Sequence, residues 1–214
     1  MKRTKLSLEQ LKKQRTLIIT YLLFALVLTI ALGTLQDPFR YTLSNIGNRF
    51  GWKPRLMFII WAFISGTAIE VSFIFIMRLI HYSNRSTFMF IGLTSLSIIL
   101  TGLVPALKNE FPLWHKIHFF TSGSIAFFFL LAVVPLIKKI LGIIPESKIY
   151  IFIWLSVIWL GSIAVLLLFK WSAMFEIWFF VTIILFLIYL SLLLYEKEVL
   201  EVYGNKIKQD SLKR

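Results

Sequence analysis

Glu70 stands inside a long apolar run, roughly seven residues from its Met77 end. A charged carboxylate at such depth costs about 2.5–3.5 kcal/mol on insertion scales, and it usually faces protein or water. Thr94 and Ser97 of the next apolar run lie at similar depth on one helix face. Two readings follow: a hydrogen-bonded acid buried between helices, or a group that carries a proton or touches a substrate. A second constellation gathers near the start of another apolar run. His115 and His118 stand three apart, so both can share a helix face, and Ser122 continues that face one turn deeper. A polar segment, Gln36–Pro54, supplies Asp37, Arg40, Tyr41, Ser44, Asn45 and Asn48, with Gly47 to allow a turn. Connections of this length are often functional. Two imidazoles with Asp37 or Glu110 would make a zinc-compatible set. The H-x-x-H spacing lacks the register and glutamate of a zincin, so the plain alternative is interfacial histidines bonded to the polar loop. The two constellations differ by about 15 Å in depth at 1.5 Å per helical residue, which argues against a joint Glu70–His118 dyad.

These groups must be positioned by six apolar stretches: Leu17–Leu35, Leu56–Met77, Phe88–Ala106, Ile117–Ile137, Ile149–Phe169 and Phe175–Leu194. A hydrocarbon core about 30 Å thick needs roughly 20 helical residues. Only helices and closed barrels satisfy every backbone group in lipid, and these stretches lack the alternation of barrel strands. The expected fold is therefore an all-α polytopic membrane protein with six transmembrane helices in one bundle. Residues 1–16 form a basic N-terminal segment, 17–195 the transmembrane domain and 196–214 a polar tail. Within that tail, Glu196–Lys208 extends the last helix and Gly204-Asn205 should stop it. At the other end, Ser7–Arg15 reads as a short surface helix leading into the first span.

Composition excludes most soluble classes. The chain is 58% hydrophobic and 15% charged, against about 25% charged in soluble domains. Its mean hydropathy is +0.83. The formal charge of +13 sits mainly in the tails and short connections, which points to anionic lipid head groups rather than nucleic acid. There is no cysteine, so disulfides, thiolate zinc sites and iron–sulfur clusters are excluded. No phosphate loop, no G-x-S-x-G elbow and no facing pair of haem histidines is present, and no cofactor is expected.

Charge also orients the chain. Sixteen of the 23 Lys and Arg residues fall on the side of the termini, which should make both termini cytoplasmic at the cell membrane. Tyr21, Tyr82, Tyr150 and Tyr195 mark one set of span ends, and Trp52, Trp114 and Trp171 mark the other. All six prolines read as loop or span-end residues. Small residues predict the packing faces: Ala62 and Gly66 before Glu70 in span two, Ser122-Gly123-Ser124 in span four, Gly161-Ser162 in span five. Span six carries Phe, Ile, Leu and Trp with almost nothing small, and is expected at the lipid-facing periphery.

Three segments carry a family resemblance: Leu43-Ser44-Asn45-Ile46-Gly47-Asn48, Thr101-Gly102-Leu103-Val104-Pro105, and His115-Lys116-Ile117-His118-Phe119-Phe120-Thr121-Ser122-Gly123. Across roughly residues 15–195 the chain resembles a bacterial family of six-span membrane proteins of unknown function. More distantly it is similar to the DRAM and Sfk membrane proteins. The resemblance implies lipid handling, membrane organisation or signalling, and it singles out Ser44, Asn45, Gly47 and His115 without supplying a catalytic set. The expected function is to bind or handle membrane lipid, or to serve another membrane protein as an accessory. The expected site is an outer-leaflet pocket of Ser44, Asn45, Asn48, His115, His118 and Ser122. The alternatives are a membrane-embedded hydrolase, with or without a metal, and a small proton-coupled transporter using Glu70.

Overall fold

The computed structural model of the chain describes residues 8–211, with side chains from 9 to 197. These residues are helical, with no strand among them. The helices are α1 (Leu8–Gly33), α2 (Leu43–Arg49), α3 (Trp52–Leu79), α4 (Arg85–Leu103), α5 (Pro112–Ile143), α6 (Lys148–Phe169) and α7 (Ala173–Ser211), with a 3-10 turn at Pro145–Ser147. All except the seven-residue α2 are long and apolar enough to cross a membrane.

Local chemistry sets several boundaries. Thr42 caps α2 by accepting from the Asn45 N–H at 3.0 Å, and Asn84 caps α4 by accepting from Thr87 N–H at 3.1 Å. Pro112 opens α5, where its missing N–H is no loss. The break between α2 and α3 falls at Gly51, whose φ of +95° suits only glycine well. The expected turn residue, Gly47, instead sits inside α2. There a Cβ would come within 2.6 Å of Phe58, so glycine serves close approach of α2 to α3.

The centre of the bundle is α3, which packs on α1, α2, α4 and α7. Gly66 and Gly102 bring α3 and α4 together, as the small-residue face predicted. The expected periphery is corrected. The apolar window of α7 is 56% buried, whereas that of α6 is only 17% buried. Large rings pack α7 into the core: Trp61 meets Phe180 edge-on at 4.9 Å, and Phe129 of α5 meets Phe179 at 6.5 Å. Aromatic edges and faces give α7 its neighbours without small residues. In turn Gly161 of α6 leaves room for Trp178 of α7, whose Nε1 donates to Val157 O at 3.3 Å.

Three further expectations change. Pro135 lies inside α5, which runs past the expected end of that span and carries Lys138 and Lys139 in its last turns. Gly204-Asn205 does not stop α7, which continues to Ser211. From Leu8, α1 runs unbroken into its span, leaving no separate surface helix among the described residues. Arg15 lies 4.0 Å over the Tyr195 ring, so the start of α1 and the end of the α7 span share one face, here called the terminal face. The opposite face is the distal face.

Candidate functional site

The distal face holds the predicted site residues. Its frame is the polar connection from α1 to α3. Backbone bonds clip this connection to the start of α7: Ala173 N–H donates to Tyr41 O at 2.6 Å and Met174 N–H to Pro38 O at 3.1 Å. Leu43 N–H donates to Glu176 Oε2 at 2.5 Å. A carboxylate reaching the first turn of α2 satisfies a donor that the helix cannot. Glu176 is the functional-looking acid that sequence reasoning passed over. It stands at the second position of the sixth apolar stretch, and its signal was an acid at the edge of an otherwise uncharged run.

Within the loop, Ser44 Oγ shares a hydrogen bond with Thr42 Oγ1 at 2.9 Å. Asn48 Nδ2 donates to Ser44 O at 2.6 Å. The Asn45 backbone serves the cap while its side chain makes no described hydrogen bond. Asn48 Oδ1 accepts from Arg55 Nη1 at 3.0 Å, and Arg55 Nη2 donates to Leu103 O at 2.6 Å. One guanidinium thus ties α2 to the C-terminal end of α4.

The histidines serve the same helix end. His118, buried, bonds through Nδ1 to Val104 O at 3.1 Å, and half-buried His115 bonds through Nδ1 to Ala106 O at 3.0 Å. A carbonyl only accepts, so both rings carry their proton on Nδ1. Three side chains, Arg55, His118 and His115, therefore cap carbonyls at and just beyond the end of α4. A helix C-terminus leaves such carbonyls without partners and carries partial negative charge. Thr101 Oγ1 donates to Thr121 Oγ1 at 3.1 Å and adds another α4–α5 link.

The described hydrogen bonds do not join the two halves of the expected pocket directly. Ser44, Asn45 and Asn48 make no hydrogen bond to His115 or His118 among the described residues. The loop lies on α3 and the start of α7, because Glu176 and the Tyr41 and Pro38 carbonyls hold it there; Arg55 relays between Asn48 and the histidine end. Ser122, half-buried, donates to Phe119 O of its own helix at 3.0 Å and joins neither group. The zinc set does not assemble: among the described residues no three of His, Cys, Asp and Glu could hold a metal ion. Asp37 is occupied by Arg40 at 3.3 Å and by the Phe39 N–H at 3.0 Å. Two shallow, open surface depressions lie elsewhere. One of about 540 Å³ runs along Lys148–Val157 of α6, and one of about 230 Å³ lies at Gln10–Leu17.

Glu70 lies far from this end. It is half-buried and makes no hydrogen bond or salt bridge among the described residues. Its expected partner Thr94 instead donates to Phe90 O of its own helix at 2.8 Å. Gly66 and Ala62, one and two turns before it, do face α4.

No family model, no curated protein and no solved structure matches this chain.

Proposed function

We propose that the chain is a multi-pass protein of the cell membrane, with both termini cytoplasmic, that holds anionic phospholipid at its distal face and catalyses no reaction there. The observation that carries this reading is an imbalance of charge. Arg49, Lys53, Arg55, Lys108, Lys116 and Lys170 all lie toward that face, and none forms a salt bridge among the described residues. The described salt bridge there is Arg40 with Asp37, and Glu176 is bonded to backbone. Trp52, Trp114 and Trp171 stand exposed at the same end, as rings at a head-group level do. Cations without protein counter-ions beside such a belt suit phosphate head groups. The reading accords with the resemblance to six-span families linked to lipid handling.

Native mass spectrometry of the purified protein tests the lipid. Phosphatidylglycerol should be retained over phosphatidylcholine, and R49Q/K53Q should lower that retention. Each cation near the surface is worth about five-fold. Equal retention of the two lipids by the native chain would overturn the reading. Orientation is tested in the cysteine-free chain by single substitutions at exposed positions. Arg49→Cys should label in intact cells and Lys139→Cys should not; the reverse would place the termini outside.

A further inference from the structure

Glu70 is the one Asp or Glu that stands more than a turn inside any of the six apolar stretches, and no Lys or Arg stands inside them. Its carboxyl is half-buried, so part of it reaches the surface of the bundle. Among the described residues it makes no hydrogen bond or salt bridge. Arg78 of the same helix is eight residues on, about 12 Å along the axis. None of Lys12, Lys13, Arg15, Arg78 and Arg85 toward the terminal face pairs with it. We propose that Glu70 receives a Lys or Arg carried at the same depth by a transmembrane helix of another membrane protein, which docks along α3 between α1 and α4. This is independent of the lipid reading above and lies away from the distal face.

Position comes first. α3 meets α1 through Thr67 and Tyr21, whose hydroxyls share a hydrogen bond at 2.5 Å, and it meets α4 where Gly66 lies against Ser95. At 3.6 residues per turn, Glu70 falls between those two contacts, about 40° round from Gly66 and about 60° from Thr67. It shares that strip with Phe63, 44% exposed, and Val71, 42% exposed. This is the side of α3 that the bundle leaves open. Space comes second. The antiparallel register that sets Gly66 against Ser95 brings Gly92 of α4 level with Glu70, and a Cβ on Gly92 would meet nothing within 4 Å. An incoming side chain has room beside the carboxyl. Charge then decides the occupant. An ionisable group in hydrocarbon is costly alone and is usually paired. A second copy of the chain has no Lys or Arg inside its apolar stretches to offer, and a two-fold contact along this strip would set acid against acid. A basic residue on another helix supplies both the opposite charge and the donors that a carboxylate accepts.

The test uses the full chain, carrying a dye at Lys139→Cys, in phosphatidylcholine vesicles. The probes are leucine–alanine helices of about 21 residues with an acceptor dye, alike except for one central position occupied by lysine, arginine or leucine. Energy transfer reads binding. The basic helices should bind about ten-fold more tightly than the leucine helix, as one polar contact between helices in lipid provides. Glu70→Leu should bring all three probes to one affinity. Gly92→Leu fills the space but keeps the carboxyl, and should weaken the basic helices alone. R49Q/K53Q should leave this binding unchanged, so its failure is distinguishable from failure of the lipid reading. Equal binding of all three probes by the native chain, or a basic preference that survives Glu70→Leu, would overturn the proposal. Energy transfer between two differently labelled copies that Glu70→Leu abolishes would overturn it as well, by giving the strip to a second copy.

Discussion

Gly102→Ala should separate α3 from α4 and disconnect the distal network. A Cβ at position 102 would stand 2.2 Å from Ala62 Cβ. Carbon atoms rest about 3.5–4.0 Å apart, so the shortfall is about 1.5 Å. Ala62 has no rotamer with which to yield, and the helices themselves must part. The next residue of α4 supplies the carbonyl that accepts from Arg55 at 2.6 Å. A displacement of about 1.5 Å takes that contact past hydrogen-bonding range. Overpacking costs about 1–3 kcal/mol, and a lost bond to a charged group about 1.5–3 kcal/mol. A loss of about 3 kcal/mol, at roughly 2–4 °C per kcal/mol for a chain of this size, lowers the Tm by roughly 6–12 °C. The assay is thermal unfolding of the purified protein in detergent, followed by the fraction that stays monodisperse. The decisive arm is the double variant A62G/G102A, which moves the methyl group from one helix to the other and should recover most of the loss. A Tm within about 2 °C of the native value for Gly102→Ala, or no recovery in the double variant, would refute the packing argument.

Other expectations concern the two acids and the α6–α7 contact. Glu176→Gln keeps an acceptor for Leu43 N–H and should cost little. Glu176→Leu strands that donor, should cost about 1–3 kcal/mol and should speed proteolysis within 36–51. Glu70 has no described partner, so Glu70→Gln and Glu70→Leu should both leave the Tm within about 2 °C of native; a large drop in either would reveal a partner. Gly161→Leu should collide with the Trp178 ring, within 3.0 Å of which even a Cβ would lie, and should lower the Tm with the loss recovered in part by Trp178→Ala.

The sequence by itself determined the six-helix membrane architecture. Apolar runs as long as a bilayer is thick have few structural solutions, and the absence of strand alternation removes the barrel. It also marked Ala62 and Gly66 as a packing face of the second span, because they are small at helical spacing and small residues let backbones approach; that α4 meets this face through Gly102 only the structure decided. It drew attention to polar residues on the distal face but not to the hydrogen bonds that hold them. His115 and His118 share a helix face, and that was legible; that both rings turn toward the carbonyls at and beyond the end of α4 depends on where α4 stops beside α5. Glu176 and Leu43 are 133 residues apart, and nothing local in either marks the other. The order of helices around α3 was likewise undetermined, because a lipid-facing apolar side chain and a buried one are the same in type. Residue size suggested that α7 would be outermost, but interlocking rings placed it inside and left α6 at the edge. Long-range pairing and the choice of buried face are properties of the packed chain, because each depends on which surface happens to be opposite.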